Sequence, residues 1–483
     1  MVEMNVNTAR ALQKRKGKYG KSIVALLPVA IVLVLAFFYD LSKSSTVATG
    51  LCIVALFCLL IALWARRISA RDIVLAWPFA ALVLFYAYFI LGSIFAPNSH
   101  SVTASWIAMF GVGLAICVYC TTLPLRHVKK IILIVGIFSA VYAVSTFAVL
   151  FVPQIGRTIV KTFYHGSFGN NDRGTSQSGL ADHKSTNAIF LTAGFFASFA
   201  YAMRRDKSNK FFVVPLLFLF AIVLTTKRAH LAFVVAIALL CYVICGSRRG
   251  MSRLTKGIIV GVILIVALLL LSEVIPQLSS VFNRFSKLAD DDTFGNRSYM
   301  YDINTALFLK NPVFGAGYGA FQDQFFTTVK GARYAAAGTT SFKGHNVFLQ
   351  VLAEQGIVGA VLLFGSLFYL LYINLKHLRK ASALLMQSRI GSETPKRIRK
   401  KLTDCSYVLT FITSEILFFL LYCITGNPLY DFEVYLPFLI SIGAYYAARR
   451  ELKAIASVLG ETAEVRITPF GKRVVWEGVT LRG

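Results

Sequence analysis

Residues 131–152 read IILIVGIFSAVYAVSTFAVLFV, an apolar run with no charged side chain. A helix of ~20 such residues crosses the hydrocarbon of a bilayer, because each residue rises ~1.5 Å and every backbone amide bonds within the helix. The run extends back to Val128, and Lys129 and Lys130 mark its polar end. Working outward, comparable runs lie near Ser22–Tyr39, Val47–Trp64, Ile73–Phe95, Val102–Thr122, Thr186–Met203, Phe211–Thr225, Ala229–Cys245, Gly257–Ile275, Val347–Tyr372, Cys405–Ile424 and Val434–Ala448. The expected fold is an all-α polytopic membrane protein of about twelve transmembrane helices.

Composition agrees. Of 483 residues, 57% are hydrophobic and 15% charged, where a soluble chain carries roughly 25% charge. The net charge of +28 would suggest nucleic acid on a soluble protein. Here 36 of the 50 Lys and Arg fall in the two terminal tails and in alternate connections between the spans, the pattern of cytoplasmic segments. Their expected partners are membrane lipid headgroups, with no nucleic acid. Cys52, Cys58, Cys117, Cys120, Cys241, Cys245, Cys405 and Cys423 sit in or beside apolar segments. They read as small buried hydrophobes rather than a redox or zinc set.

The charge pattern places both termini in the cytoplasm of a bacterial inner membrane. Residues 1–21 form a basic tail. Residues 22–275 hold spans 1–9 with a periplasmic loop at 153–185, and 276–345 form a large, partly helical periplasmic loop. Spans 10–12 occupy 346–448, and 449–483 form a cytoplasmic tail. Within the large loop, Asn296–Leu309 is expected to be a helix ended by Asn311-Pro312, with a tight turn at Gly315, Gly317 and Gly319. Lys376–Lys401 reads as a solvated basic linker.

Ionisable groups beside a membrane need a reason. Four clusters fall on the outside face of this topology: Asp182-His183-Lys184, Lys227-Arg228-Ala229-His230, Arg297, and Lys343-Gly344-His345-Asn346. Many cations and few anions on one face suit a diphosphate, whose oxygens match the arginine fork. Asp290-Asp291-Asp292 reads as a solvated turn. No metal or other cofactor is therefore expected, and side-chain cations replace the metal. His345 lies at the start of a helix beside Lys343, and both features lower its pKa toward a neutral imidazole.

Three stretches carry a family likeness: Gly295-Asn296-Arg297-Ser298-Tyr299-Met300-Tyr301, Asn311-Pro312-Val313-Phe314-Gly315-Ala316-Gly317, and Gly344-His345-Asn346-Val347 followed by Glu354-Gln355-Gly356-Ile357-Val358-Gly359. They resemble the O-antigen ligase and Wzy-type polysaccharide polymerase superfamily. The resemblance implies a glycosyltransferase that moves a glycan from undecaprenyl diphosphate to a lipid A-core or lipid-linked acceptor. It implies His345 as the base on the acceptor hydroxyl and Arg297 as a diphosphate ligand. Arg228 is similar to the arginine of a family Ser-Arg-Gly motif. Lys227 and Lys184 are further expected diphosphate ligands, and His183, Asn346, Lys343 and His230 are supporting residues. A flippase for the same lipids would instead show mid-membrane charges and symmetric halves.

Overall fold

The structure, a computed structural model, describes residues 25–42, 50, 53–54, 56–57, 59, 79–94, 100–152, 154–156, 158, 178–204, 209–245, 293–336, 342–390, 396–458, 463–468 and 471–476. The helices are α1 (Leu27–Ser42), α2 (Phe79–Ile94), α3 (His100–Thr122), α4 (Leu125–Phe151), α5 (Lys184–Ala202), α6 (Val213–Leu224) and α7 (Arg228–Cys245). There follow α8 (Thr293–Lys310), α9 (Ala320–Phe326), α10 (Val329–Ala336), α11 (Val347–Ala360), α12 (Ser366–Ile390), α13 (Lys396–Thr425) and α14 (Phe432–Val458).

Helix α4 shows why these elements form and what surrounds them. It starts after Pro124, whose ring has no N–H to leave unsatisfied. One face buries Val128, Ile131, Ile132, Val135, Tyr142 and Thr146. The other exposes Leu133, Ile137, Val141 and Val144 at the same helical period. Apolar residues on both faces mean that the outer one is solvated by lipid rather than water. Val213, Val214, Leu216 and Leu217 give α6 a similar exposed face.

Helix α13 is buried on nearly every side and packs on α5, α7, α12 and α14, so it is the axis of the bundle. Among the described residues α4, α7, α13 and the segment Val347–Met386, which joins α11 to α12, are long and apolar enough to cross a bilayer. Helices α1, α2, α3 and α6 contain shorter apolar stretches. The chain is a multi-pass membrane protein.

The structure departs from the sequence reading in two places. Helix α12 runs on to Ile390 and α13 begins at Lys396, so most of the expected 376–401 linker is helix. Lysine and arginine are good helix formers, and their stems tolerate an apolar surface beneath a solvated charge. The tail is not wholly irregular or all-α either. Helix α14 extends to Val458, and strands β1 (Ala463–Thr468) and β2 (Gly471–Trp476) pair antiparallel, with Ala463 opposite Trp476 and Thr468 opposite Gly471. Cys117, Cys120, Cys241, Cys245, Cys405 and Cys423 are buried and in the thiol form, outside any disulfide among the described residues. Span 257–275, most of span 47–64, Cys52, Cys58, residues 1–21 and Asp290–Asp292 lie outside the described residues.

Helix directions define two ends. At one, Asp404 of α13 bonds Lys129 of α4 at 2.5 Å and Arg204, beyond α5, at 2.8 Å. The Arg204 guanidinium also lies over the rings of Tyr201 and Tyr407. The other end gathers the start of α5, the α6–α7 turn, α8–α10, the start of α11 and the α13–α14 loop. All four sequence clusters of ionisable residues belong to this second end.

Candidate active site

The family-like motifs build one feature, a broken helix with a loop docked in the break. Gly356, inside α11, adopts φ 64° and ψ −167°, a conformation open in practice to glycine alone. The break frees the N–H groups of Ile357 and Val358, which donate instead to Pro312 O at 2.9 Å and Val313 O at 3.2 Å. The carbonyls they would have met, Ala353 O and Glu354 O, accept from Ala316 N at 2.8 Å and Gly317 N at 2.9 Å. These four groups released by the break are thus paired by the loop, as an apolar environment favours. A Cβ on Gly315 would lie 2.3 Å from Gln355 N, and one on Gly356 would lie 2.3 Å from Val313 O. The Tyr88 hydroxyl of α2 donates to Phe314 O at 2.7 Å and to Gln355 O at 3.2 Å, tying loop and helix to the bundle.

This feature fixes the start of α11. The buried Glu354 carboxylate accepts from Gln350 Nε2 at 3.2 Å and from the Tyr430 hydroxyl at 3.1 Å. Gln350 Oε1 in turn accepts from Gly344 N at 2.9 Å. Asn346 is the N-cap, its side chain accepting from Leu349 N at 3.1 Å. His345 therefore precedes the cap rather than occupying the first turn, and it holds φ 53°. The other non-glycine residue at positive φ among those described is Thr226, at φ 59° in the α6–α7 turn beside Lys227. Such conformations persist only where their surroundings over-determine them.

A loop missed by sequence reading supplies those surroundings for His345. The backbone N–H of His345 donates to Asn427 Oδ1 at 2.9 Å, and Asn427 Nδ2 lies 3.3 Å from His345 Nδ1. Lys343 bonds Asp431 at 2.5 Å in the same α13–α14 loop. Burial opposes the Lys343 charge, but the charge and hydrogen bond of Asp431 together with Glu433 leave the pKa raised. The Phe342 ring meets the imidazole edge-on and stacks on Phe325, whose cluster with Met300, Ile303 and Phe321 joins α9 to α8.

The imidazole pKa is drawn down to about 4, first by burial and then by the Arg297 guanidinium. Asp431 opposes this, and Lys227 and Lys343 add to it. The expected direction stands, with burial and Arg297 ahead of Lys343 as its causes. Arg297 on α8, Lys227 in the α6–α7 turn and Lys343 thus all act on His345 although far apart in sequence. Lys227 contributes to the field at His345, and Arg228 beside it opens α7.

The remaining expected residues have other posts. His183 caps α5, its Nδ1 accepting from Ser185 N at 3.2 Å, and Lys184 is the first residue of that helix. His230 is buried in the first turn of α7 against Phe418 and Tyr422, and neither ring nitrogen has a hydrogen-bond partner among the described residues. Asn427, Asp431 and the role of Glu354 were not foreseen. The available signal was Gly426-Asn427-Pro428, a polar turn too brief to draw notice between two apolar runs.

Residues 213–364 match the O-antigen ligase family. The match contains Lys227, Arg228, Arg297, His345 and the broken helix, and ends before Asn427 and Asp431. No curated protein matches the chain.

Proposed function

From the O-antigen ligase domain at residues 213–364, we propose that this protein is a membrane glycosyltransferase of the ligase type. It moves a glycan from undecaprenyl diphosphate to a sugar hydroxyl of lipid A-core on the periplasmic face of a bacterial inner membrane. The observation that supports this best is a neutral imidazole, His345, set among Arg297, Lys227 and Lys343 at one end of a membrane bundle. The basic opposite end, with Lys129, Arg204 and the first turns of α13 from Lys396 to Lys401, is then cytoplasmic.

In this reading Arg297 and Lys227 neutralise the diphosphate, with Arg228 and Lys184 along its approach. Their fixed positive charge faces the negative charge that develops on the leaving group, so no metal is called on for that task. His345 is the catalytic imidazole, and His183, His230, Asn346 and Lys343 support the site. A deletion strain examined by lipopolysaccharide gel tests the assignment. Loss of all attached chains is the expected result. A single capped repeat would make the protein an O-antigen polymerase acting on lipid-linked repeats by the same chemistry. An unchanged gel would contradict both and direct attention to exopolysaccharide.

A further inference from the structure

Asn427 meets His345 at two points, and together they decide what the imidazole can do. The backbone N–H of His345 can only donate, so the amide atom 2.9 Å from it is the oxygen, Oδ1. The other end of the amide, Nδ2, carries two hydrogens and no free lone pair, and it lies 3.3 Å from Nδ1. Turning the amide over would set an NH2 against a backbone N–H. Nδ1 therefore accepts, and a neutral ring must carry its hydrogen on Nε2.

We propose that Asn427 is a positioning residue that holds His345 as the Nε2–H tautomer, so that the imidazole offers the substrate a hydrogen-bond donor rather than a base. This rests on the glycosyltransferase reading and revises the base role that the family resemblance implies. As the acceptor oxygen bonds to the anomeric carbon, the bond from that carbon to the diphosphate oxygen breaks. Its electron pair leaves with the diphosphate, and the hydroxyl proton passes to the same diphosphate. Nε2–H, Arg297 and Lys227 stabilise that leaving group. The clamp also resists ring protonation, since a hydrogen on Nδ1 would oppose the Asn427 amide. This agrees with the low imidazole pKa set by burial, Arg297, Lys227 and Lys343 against Asp431.

The test uses the full chain in nanodiscs with 15N-histidine, the His345 signals being those lost in His345→Gln. The expected spectrum shows an unprotonated Nδ1 and a protonated Nε2, unchanged from pH 8 to pH 5. A protonated Nδ1 overturns the proposal. The second readout is glycan attachment in cells carrying Asn427→Asp. This variant keeps the shape, but its carboxylate accepts from Nδ1–H and turns Nε2 into an acceptor. The proposal expects at least a tenfold loss, whereas a base would keep or gain rate, and an unimpaired Asn427→Asp overturns it. The spectrum does not depend on activity, so a wild type without transfer would defeat the functional reading while leaving the tautomer decided.

Discussion

At the scale of single residues, His345 concentrates the argument. Its backbone is held at φ 53°, its ring is half-buried, and the charges acting on it are Arg297, then Asp431 in opposition, then Lys227 and Lys343. Replacing it with Ala should reduce glycan attachment by at least a hundredfold while the protein still inserts, measured by gel and membrane immunoblot. The pH behaviour has a definite sign. An ordinary histidine titrates at ~6.5, and burial and the Arg297 charge draw His345 down to about 4. On acidification the unfolded chain therefore takes the proton first. The stability that the neutral ring contributes is whole above ~6.5 and is lost as pH falls from there through about 4. Transfer per folded molecule should show no acid limb at 6.5, and initial rates between pH 5 and 8 check this. The sequence made His345 conspicuous because it precedes a long apolar run. It concealed Asn427, whose importance lies in a contact across 82 positions that no local pattern records.

At the scale of elements, α11 and the loop before it form one unit. The Gly315 and Gly356 motifs were legible as a pair of family signatures, but not as the two halves of a single joint. Backbone hydrogen bonds join them, and side-chain patterning carries no trace of such bonds. Gly356→Ala would force a side chain into a glycine conformation and against Val313 O. A loss of about 2 kcal/mol or more is expected from strain and clash together, read as a lower unfolding midpoint in detergent. Tyr88→Phe removes one hydroxyl that serves two carbonyls and should cost about 1 kcal/mol. The extension of α12 to Ile390 teaches the converse lesson. Its basic residues looked like a linker because charge suggests solvent, yet charge at the end of a span is compatible with helix.

At the scale of the whole molecule, the proposed site and the Asp404 ion-pair group occupy opposite ends. The spans were readable because an apolar run of sufficient length has few other uses, and α4, α7 and α13 fall where the sequence put them. The meeting of α8, the α6–α7 turn and the α13–α14 loop was not, because tertiary packing alone brings them together. The Asp404–Lys129–Arg204 group holds three segments at the far end. Asp404→Ala leaves two cations without their anion and should destabilise the protein by about 3 kcal/mol. Transfer per folded molecule should stay at the wild-type value, measured by normalising attachment to folded protein. A specific loss of activity would show that the two ends are coupled.

The central claim is that Arg297 and Lys227 form a diphosphate site around His345, and equilibrium binding of undecaprenyl diphosphate to the full chain in nanodiscs tests it most directly. Binding at least tenfold weaker in Arg297→Ala than in wild type, with a smaller slope against salt concentration, is the result expected. Equal affinity and equal salt dependence in the two proteins would contradict the account.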